Sequence, residues 1–485
     1  MRIFIGFLLL VLPFFATLAQ DAHYWTEQYG TRSMLLSNSI IGSVEDLGAV
    51  FYNPARLSVI EENAFMVSGK VYQLSSYSFE TDGGNNNTPK RKSEFGGAPS
   101  LLAGTFGIKG LEKHSFAYSL LGRRNMDLNL NEGSSLFGDV LPNIPGEEYL
   151  SGDAVVAKAF NEEWLGLSWS YTLNPQWSIG LSTYGTIRKQ NVIDEANIQA
   201  YMANNDVEVY SSKNRYDYTH LGLLWKLGLA WEKEAWSLGL TMTTPTVSLM
   251  GDGSFHYEKV YTGITDGKPI YEHNTQSEID MTYKTPFSVG GGVGYQFKKG
   301  SIHASAEYFH SVSPYTLMKG QAYLGQSTGK DRQSFLLDEL QSVMNFGIGY
   351  HFVLSDAING YLSYSTDFSA AVGSNESTLD FRSKTYASTF TSDINHFGGG
   401  IVLKFKRADI TLGTSLAQTN YSVERPMYFP DETNVNRADL QSRNVTTDVR
   451  WNRWNFIVGI SIPFLDDFTK KWENKLLNNG SKVAE

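Results

Sequence analysis

From about residue 64 onward, apolar and polar residues alternate along the chain, the period of a strand with two unlike faces. Leu221, Leu223, Trp225, Leu227, Leu229 and Trp231 form one such series, with Gly222, Leu224, Lys226, Gly228 and Ala230 between them. Others run through Phe287, Val289, Val293, Tyr295 and Phe297, through Met344, Phe346, Ile348, Tyr350 and Phe352, and through Trp454, Phe456, Val458, Ile460, Ile462 and Phe464. Strands of soluble sandwiches average about five or six residues. These series span roughly ten or more, the length at which a tilted strand crosses a bilayer. Six connections are very short: 110–113, 173–176, 232–234, 298–300, 354–356 and 407–408. Each joins two alternating strands, and one further strand at about 64–79 and a last at 454–464 bring the number to fourteen. Between the pairs lie long polar stretches, roughly 80–98, 123–162, 190–215, 250–284, 317–340, 371–394 and 423–450.

Strict exchange of short turn and long loop predicts an all-β fold, a 14-stranded antiparallel transmembrane β-barrel occupying 63–464. The turns then lie in the periplasm, the loops outside the cell, and an even strand count returns both termini to the periplasm. Tyr171 and Trp177, Trp231 and Trp236, and Phe405 stand beside short turns, where amphipathic rings form the inner girdle at headgroup level.

The ends of the chain do not alternate. Residues 1–19 carry one cation (Arg2), an apolar stretch from Ile3 to Phe15, and small residues at Thr17 and Ala19, the pattern of a cleaved secretory signal. Residues 20–62 read as short helical or irregular pieces ending at Asn53-Pro54, and a fourteen-stranded lumen leaks unless something fills it. An N-terminal hatch folded inside the barrel would do so. After Phe464, residues 465–485 predict a short periplasmic tail in which Asp466 caps a helix with Phe468, Trp472 and Leu476 on one face. That face either rests on the rim of the barrel or docks a periplasmic or membrane partner.

The segment Tyr29-Gly30-Thr31-Arg32-Ser33, then Ser43-Val44-Glu45-Asp46, then Ala49 to Leu57, resembles the N-terminal signature of the outer-membrane hydrophobic-compound transport family of FadL and TodX. The PorV-type barrels of Bacteroidota share a similar motif. Asn53, Pro54, Ala55 and Leu57 match the family's hatch motif, whereas Arg56 stands where glycine is expected. Thr285-Pro286-Phe287-Ser288-Val289 is similar to a strand start typical of the family. The resemblance implies passive uptake of hydrophobic small molecules such as long-chain fatty acids across the bacterial outer membrane. In that family the ligand binds beside the hatch and leaves through a gap in the wall. PorV-like barrels imply the alternative of an accessory subunit in a secretion or protein-assembly complex.

Composition narrows the chemistry. The chain has 485 residues, 13% of them aromatic, and no cysteine, which excludes disulfides, thiolate metal sites and cysteine nucleophiles. A formal charge of -10 argues against a nucleic-acid partner. Metal, phosphate and nucleophile-elbow motifs are missing, so no enzyme activity, no cofactor and no metal are expected. His303, Ser305 and Glu307 share one strand face, but neighbours at that spacing lie about 6.6–7 Å apart, too far for a base and nucleophile. They read as lumen lining. The loop acids Glu147, Glu148 and Asp153 lack a liganding spacing and read as solvated charge. The expected partners are outer-membrane lipid and a fatty-acid-like ligand, with protein partners under the accessory reading.

Overall fold

The computed structural model describes residues 23–60, 64–81, 90–138, 146–263, 269–372, 384–386, 392–426 and 444–462. The signal segment, the loop tips and the tail with Phe468, Trp472 and Leu476 lie outside the described residues. In chain order the strands are β1 (Phe65–Thr81), β2 (Lys90–Phe106), β3 (His114–Gly138), β4 (Glu148–Thr172), β5 (Trp177–Tyr201), β6 (Val207–Lys233) and β7 (Trp236–Thr243). They continue as β8 (Val247–Thr262), β9 (Ile270–Asp280), β10 (Ser288–Phe297), β11 (Gly300–Phe309), β12 (Val312–Lys319), β13 (Tyr323–Leu324) and β14 (Asp331–Arg332). The remainder are β15 (Phe335–Leu340), β16 (Val343–Ser355), β17 (Ile358–Asp367), β18 (Lys384–Tyr386), β19 (Ile394–Lys404), β20 (Asp409–Pro426) and β21 (Asn444–Ile462).

Antiparallel pairing runs from β1 through β6, and from β10 through β11, β16, β17, β19, β20 and β21 back to β1. The ring closes because β6 pairs with β7 near the short turns and with β8 farther up, while β7 pairs with β10 and β8 with β9. Thus β7 and β8 make one wall strand, β9 and β10 another, and the closed barrel has fourteen. No helix among the described residues is long and apolar enough to cross a membrane. Strand β6 shows why the pattern gives this wall. Leu224, Lys226 and Ala230 are buried inward, while the alternate side chains, Leu227 among them, face out. On the outer face the expected girdle rings meet across strands: Trp177 and Trp231 at 6.4 Å, Trp236 and Tyr295 at 4.6 Å between centroids.

Stretches 123–162 and 190–215, read above as loops, are largely strand. The β5–β6 ladder is unbroken from Trp177–Trp231 to Tyr201–Val207. Above the lipid the outer face meets water instead of hydrocarbon, so the apolar-outward half of the pattern fades while backbone pairing continues.

Residues 23–60 lie against the inner faces of strands around the ring. They form short 3-10 stretches at Ser33–Leu36 and Pro54–Val59 and a four-residue helix, Ala49–Tyr52. Tyr29, Met34, Leu35, Ile40, Leu47 and Leu57 are almost wholly buried. Glycines at inward wall positions let this backbone approach. A Cβ on Gly292 would lie 2.6 Å from the Gly42 nitrogen, and one on Gly180 2.3 Å from the Ala55 nitrogen.

Candidate functional site

The hatch-motif residues sit at the short-turn end. The Asn53 side chain accepts from the Ala55 N–H and donates to the carbonyls of Ile41 and Leu229. Pro54 supplies the first position of a tight turn, where its missing N–H costs nothing. Ala55 and Leu57 are fully buried, and the Ala55 carbonyl accepts from Ser178 on β5. Arg56, the departure from the motif, is 2% exposed; its Nε donates to the Val44 carbonyl and its Nη1 pairs with Glu232 at 3.2 Å. On the other side of the ring Arg32 pairs with Asp409 at 2.7 Å.

His303, Ser305 and Glu307 face the lumen, as the alternation requires, but each is engaged separately by the N-terminal segment. His303 bonds Ser43, the Ser305 hydroxyl accepts from the Ile41 N–H, and Glu307 accepts from the Trp25 indole. The trio is a set of anchors. Of the acids read as solvated loop charge, Glu148 is buried at the start of β4, and Asp153, also on β4, accepts from Asn197, its neighbour on β5.

Toward the loops, above the N-terminal segment, arginines and aromatic rings interleave. Arg188 on β5 lies 4.1 Å from the Phe160 ring centre and 4.0 Å from that of Tyr283, an attractive stacking geometry for a guanidinium. It also donates to Glu162 at 2.8 Å and to Tyr218 at 3.0 Å. Arg124 reaches the carbonyl of His23 and the rings of Tyr24 and Phe160. Arg123, 6% exposed, lies over Phe51 and Trp164 and donates one nitrogen to the Tyr24 carbonyl. Its other terminal nitrogen, Nη1, is buried near the Tyr29 hydroxyl and the Glu162 carboxylate. A buried guanidinium so placed can receive an anion that enters among these rings.

This layer abuts a break in the wall. The β7–β10 ladder ends at Thr243–Ser288 and the β8–β9 ladder begins at Asp252–Asp280. Between them the two wall strands run without ladder pairing over 244–251 and 281–287, bridged by Met281 N–H to the Gly251 carbonyl and by Thr246 to Thr285. Pro245 lies in the first of these stretches and Pro286 in the second, and neither can donate to a ladder. Outside, Val247, Leu249 and Met250 are exposed and continue the lipid-facing band. Inside, Tyr283 stands in the break, in contact with Arg188 and 5.6 Å from the His220 ring. From above, β12 and β15 fold over the inner wall, burying Leu317, Met318 and Leu336 against Tyr216, Tyr218, Phe255 and Met281. Burial and the Asp338 carboxylate hold the Tyr315 phenol above its usual range, so it stays a donor to Asp338 at 2.8 Å.

The arginine–aromatic layer and the break escaped sequence reasoning. The layer draws on five separate stretches, 23–24, 123–124, 160–164, 188 and 283, which no periodicity links. The break did leave a signal: Thr244-Pro245-Thr246 and Thr285-Pro286-Phe287 interrupt two alternating runs.

The sequence matches no known family profile and no curated protein. Among solved structures, a Pseudomonas aeruginosa FadL homologue aligns with 91% of this chain and 100% of its own, at TM-score 0.52 and 13% identity. The toluene transporter TodX of P. putida aligns with 90% and 99%, at TM-score 0.53 and 13% identity. At such identities the likeness is one of architecture, carried over nearly the whole of each chain: this protein has the barrel fold of the FadL and TodX outer-membrane channels.

Proposed function

We propose that the protein is an outer-membrane channel for passive uptake of hydrophobic small molecules, with amphiphilic acids such as long-chain fatty acids as its ligands. Residues 23–60 act as the hatch that closes the lumen toward the periplasm, where both termini lie. The observation that carries the reading is the junction at Tyr283, where the buried arginine–aromatic layer meets a wall break whose outer lip is apolar. A ligand arriving from the loops would place its chain among Phe160, Trp164 and Tyr283 and its carboxylate on Arg123. It would then leave sideways between β8 and β10 into the lipid, without crossing water. The fold shared with TodX, a toluene transporter, supports an apolar cargo.

The test is a lock on the break. The Thr246 and Thr285 hydroxyl oxygens lie 2.9 Å apart and the chain has no native cysteine, so Thr246→Cys with Thr285→Cys gives a single disulfide. Oxidation is expected to abolish uptake of radiolabelled oleate into cells, and reductant to restore it. Uptake indifferent to the lock would sink the lateral route.

A further inference from the structure

Above the wall break, on the outer face of the β8–β9 hairpin, two imidazoles and a carboxylate converge. His256 and Glu258 are two residues apart on β8 and point the same way, and His273 is the cross-strand neighbour of Glu258. One potential ligand atom from each lies within 4.8 Å of the others, and the two rings stand edge to face with centres 5.5 Å apart. The chemistry around the trio favours its use as a ligand set. The His256 Nδ1 is 2.9 Å from the Thr275 hydroxyl, so an Nδ1–H donated there fixes the tautomer and leaves the Nε2 lone pair free. Two cations stand on the adjoining strand β6: Lys213, the neighbour of Glu258, pairs with Glu195 at 3.3 Å, and Arg215 is the neighbour of His256. Partial burial and these cations disfavour a positive charge on the His256 imidazole and keep it neutral for a metal. All three ligating side chains are half-buried rather than fully solvated, which limits their freedom before an ion arrives.

We infer that His256, Glu258 and His273 form a divalent transition-metal site, with zinc the best fit. Two imidazoles and a carboxylate suit zinc, copper or nickel rather than calcium or magnesium, which prefer all-oxygen cages. Three protein ligands with a fourth, water-filled position match zinc's tetrahedral habit. Tetrahedral bonds of about 2.0–2.1 Å put ligand atoms about 3.4 Å apart, so the side chains close by little more than about 1 Å through small rotations. The hairpin carrying the site begins at the upper edge of the wall break, and a bound ion would join its two strands outside the lipid. None of this depends on what the channel carries.

The experiment is equilibrium zinc titration of the full-length, untagged protein in detergent, against a chromogenic chelator, with bound metal counted by mass spectrometry. The site predicts one zinc per chain. It also predicts loss of that zinc in His256→Ala/His273→Ala, and weakening by about tenfold in Thr275→Val, which removes only the supporting hydroxyl. Gel mobility before and after heating reports whether each variant is a folded barrel. Glu258→Gln serves as the ligand variant should the double variant not fold. Cobalt substitution is expected to give the visible absorption of a four-coordinate ion. Stoichiometric zinc retained by the folded ligand variants, or no stoichiometric zinc in the unaltered protein, would overturn the assignment.

Discussion

Asp46 organises the N-terminal segment from within. Buried to 6% exposure, it accepts from the N–H groups of Thr31, Ser33 and Gly48 and from the Ser33 hydroxyl. Gly30, at φ +92°, passes so close that a Cβ there would lie 2.5 Å from the Asp46 carboxylate, so only glycine fits. Asp46→Ala strands several buried donors at about 1–3 kcal/mol each. It is therefore expected to expose residues 30–50 to protease while the wall keeps its heat-dependent gel mobility. Arg123 acts differently, as a buried cation held over the rings of Phe51 and Trp164. Arg123→Ala is expected to weaken oleate binding by about tenfold or more, the worth of a charge-assisted hydrogen bond. Toluene binding, which needs no anion contact, should change little; isothermal titration with both ligands separates the cases. The turn at Asn53-Pro54 was legible because that pair favours turn initiation. Arg123 was not, because its role comes from rings supplied by distant strands.

At the scale of elements, the wall was legible strand by strand, and for a physical reason. Lipid outside and a filled lumen inside impose opposite demands on successive residues, so β6, β10, β16 and β21 write their two faces into the sequence. The same logic explains the glycines in the inward series of β10, where Gly290, Gly292 and Gly294 pack on Ile41, Gly42 and Ser43. Gly292→Val is expected to push that backbone off the wall at an overpacking cost of about 1–3 kcal/mol. Planar-bilayer recordings should then show larger ionic conductance as the lumen opens. Gly291→Val is the control: its Cβ would point outward, 3.4 Å from Leu240, and should leave conductance unchanged. Where the demand of lipid ends, legibility ended too. The upper halves of β3 to β6 continue as polar ladders, and β12 with β15 forms a sheet of its own over the lumen. Alternation survives there only in short runs, such as Met126, Leu128 and Leu130 on β3, which fall within a stretch otherwise rich in polar residues.

For the molecule as a whole, the question is whether cargo passes by moving the N-terminal segment or by parting the wall. That segment is tied to strands on every side of the ring. Glu27 pairs with Lys70 on β1, Asp367 on β17 accepts from the N–H groups of Tyr24 and Trp25, Val50 accepts from Ser182 on β5, and Arg32 pairs with Asp409 on β20. Expelling it means breaking these contacts together, most of them buried, at a penalty of many kcal/mol. The wall break is bridged by one backbone hydrogen bond and the Thr246–Thr285 pair, so a small local opening there is far easier. The two routes can be separated with a second lock. Ser363 on β17 donates to Ser37 at 2.8 Å, away from the break, so Ser37→Cys with Ser363→Cys would pin the N-terminal segment to the wall. Under the lateral route the oxidised Ser37–Ser363 variant takes up oleate at the unaltered rate, while the oxidised Thr246–Thr285 variant does not. The reverse result would make the N-terminal segment the moving gate and the break a static seam.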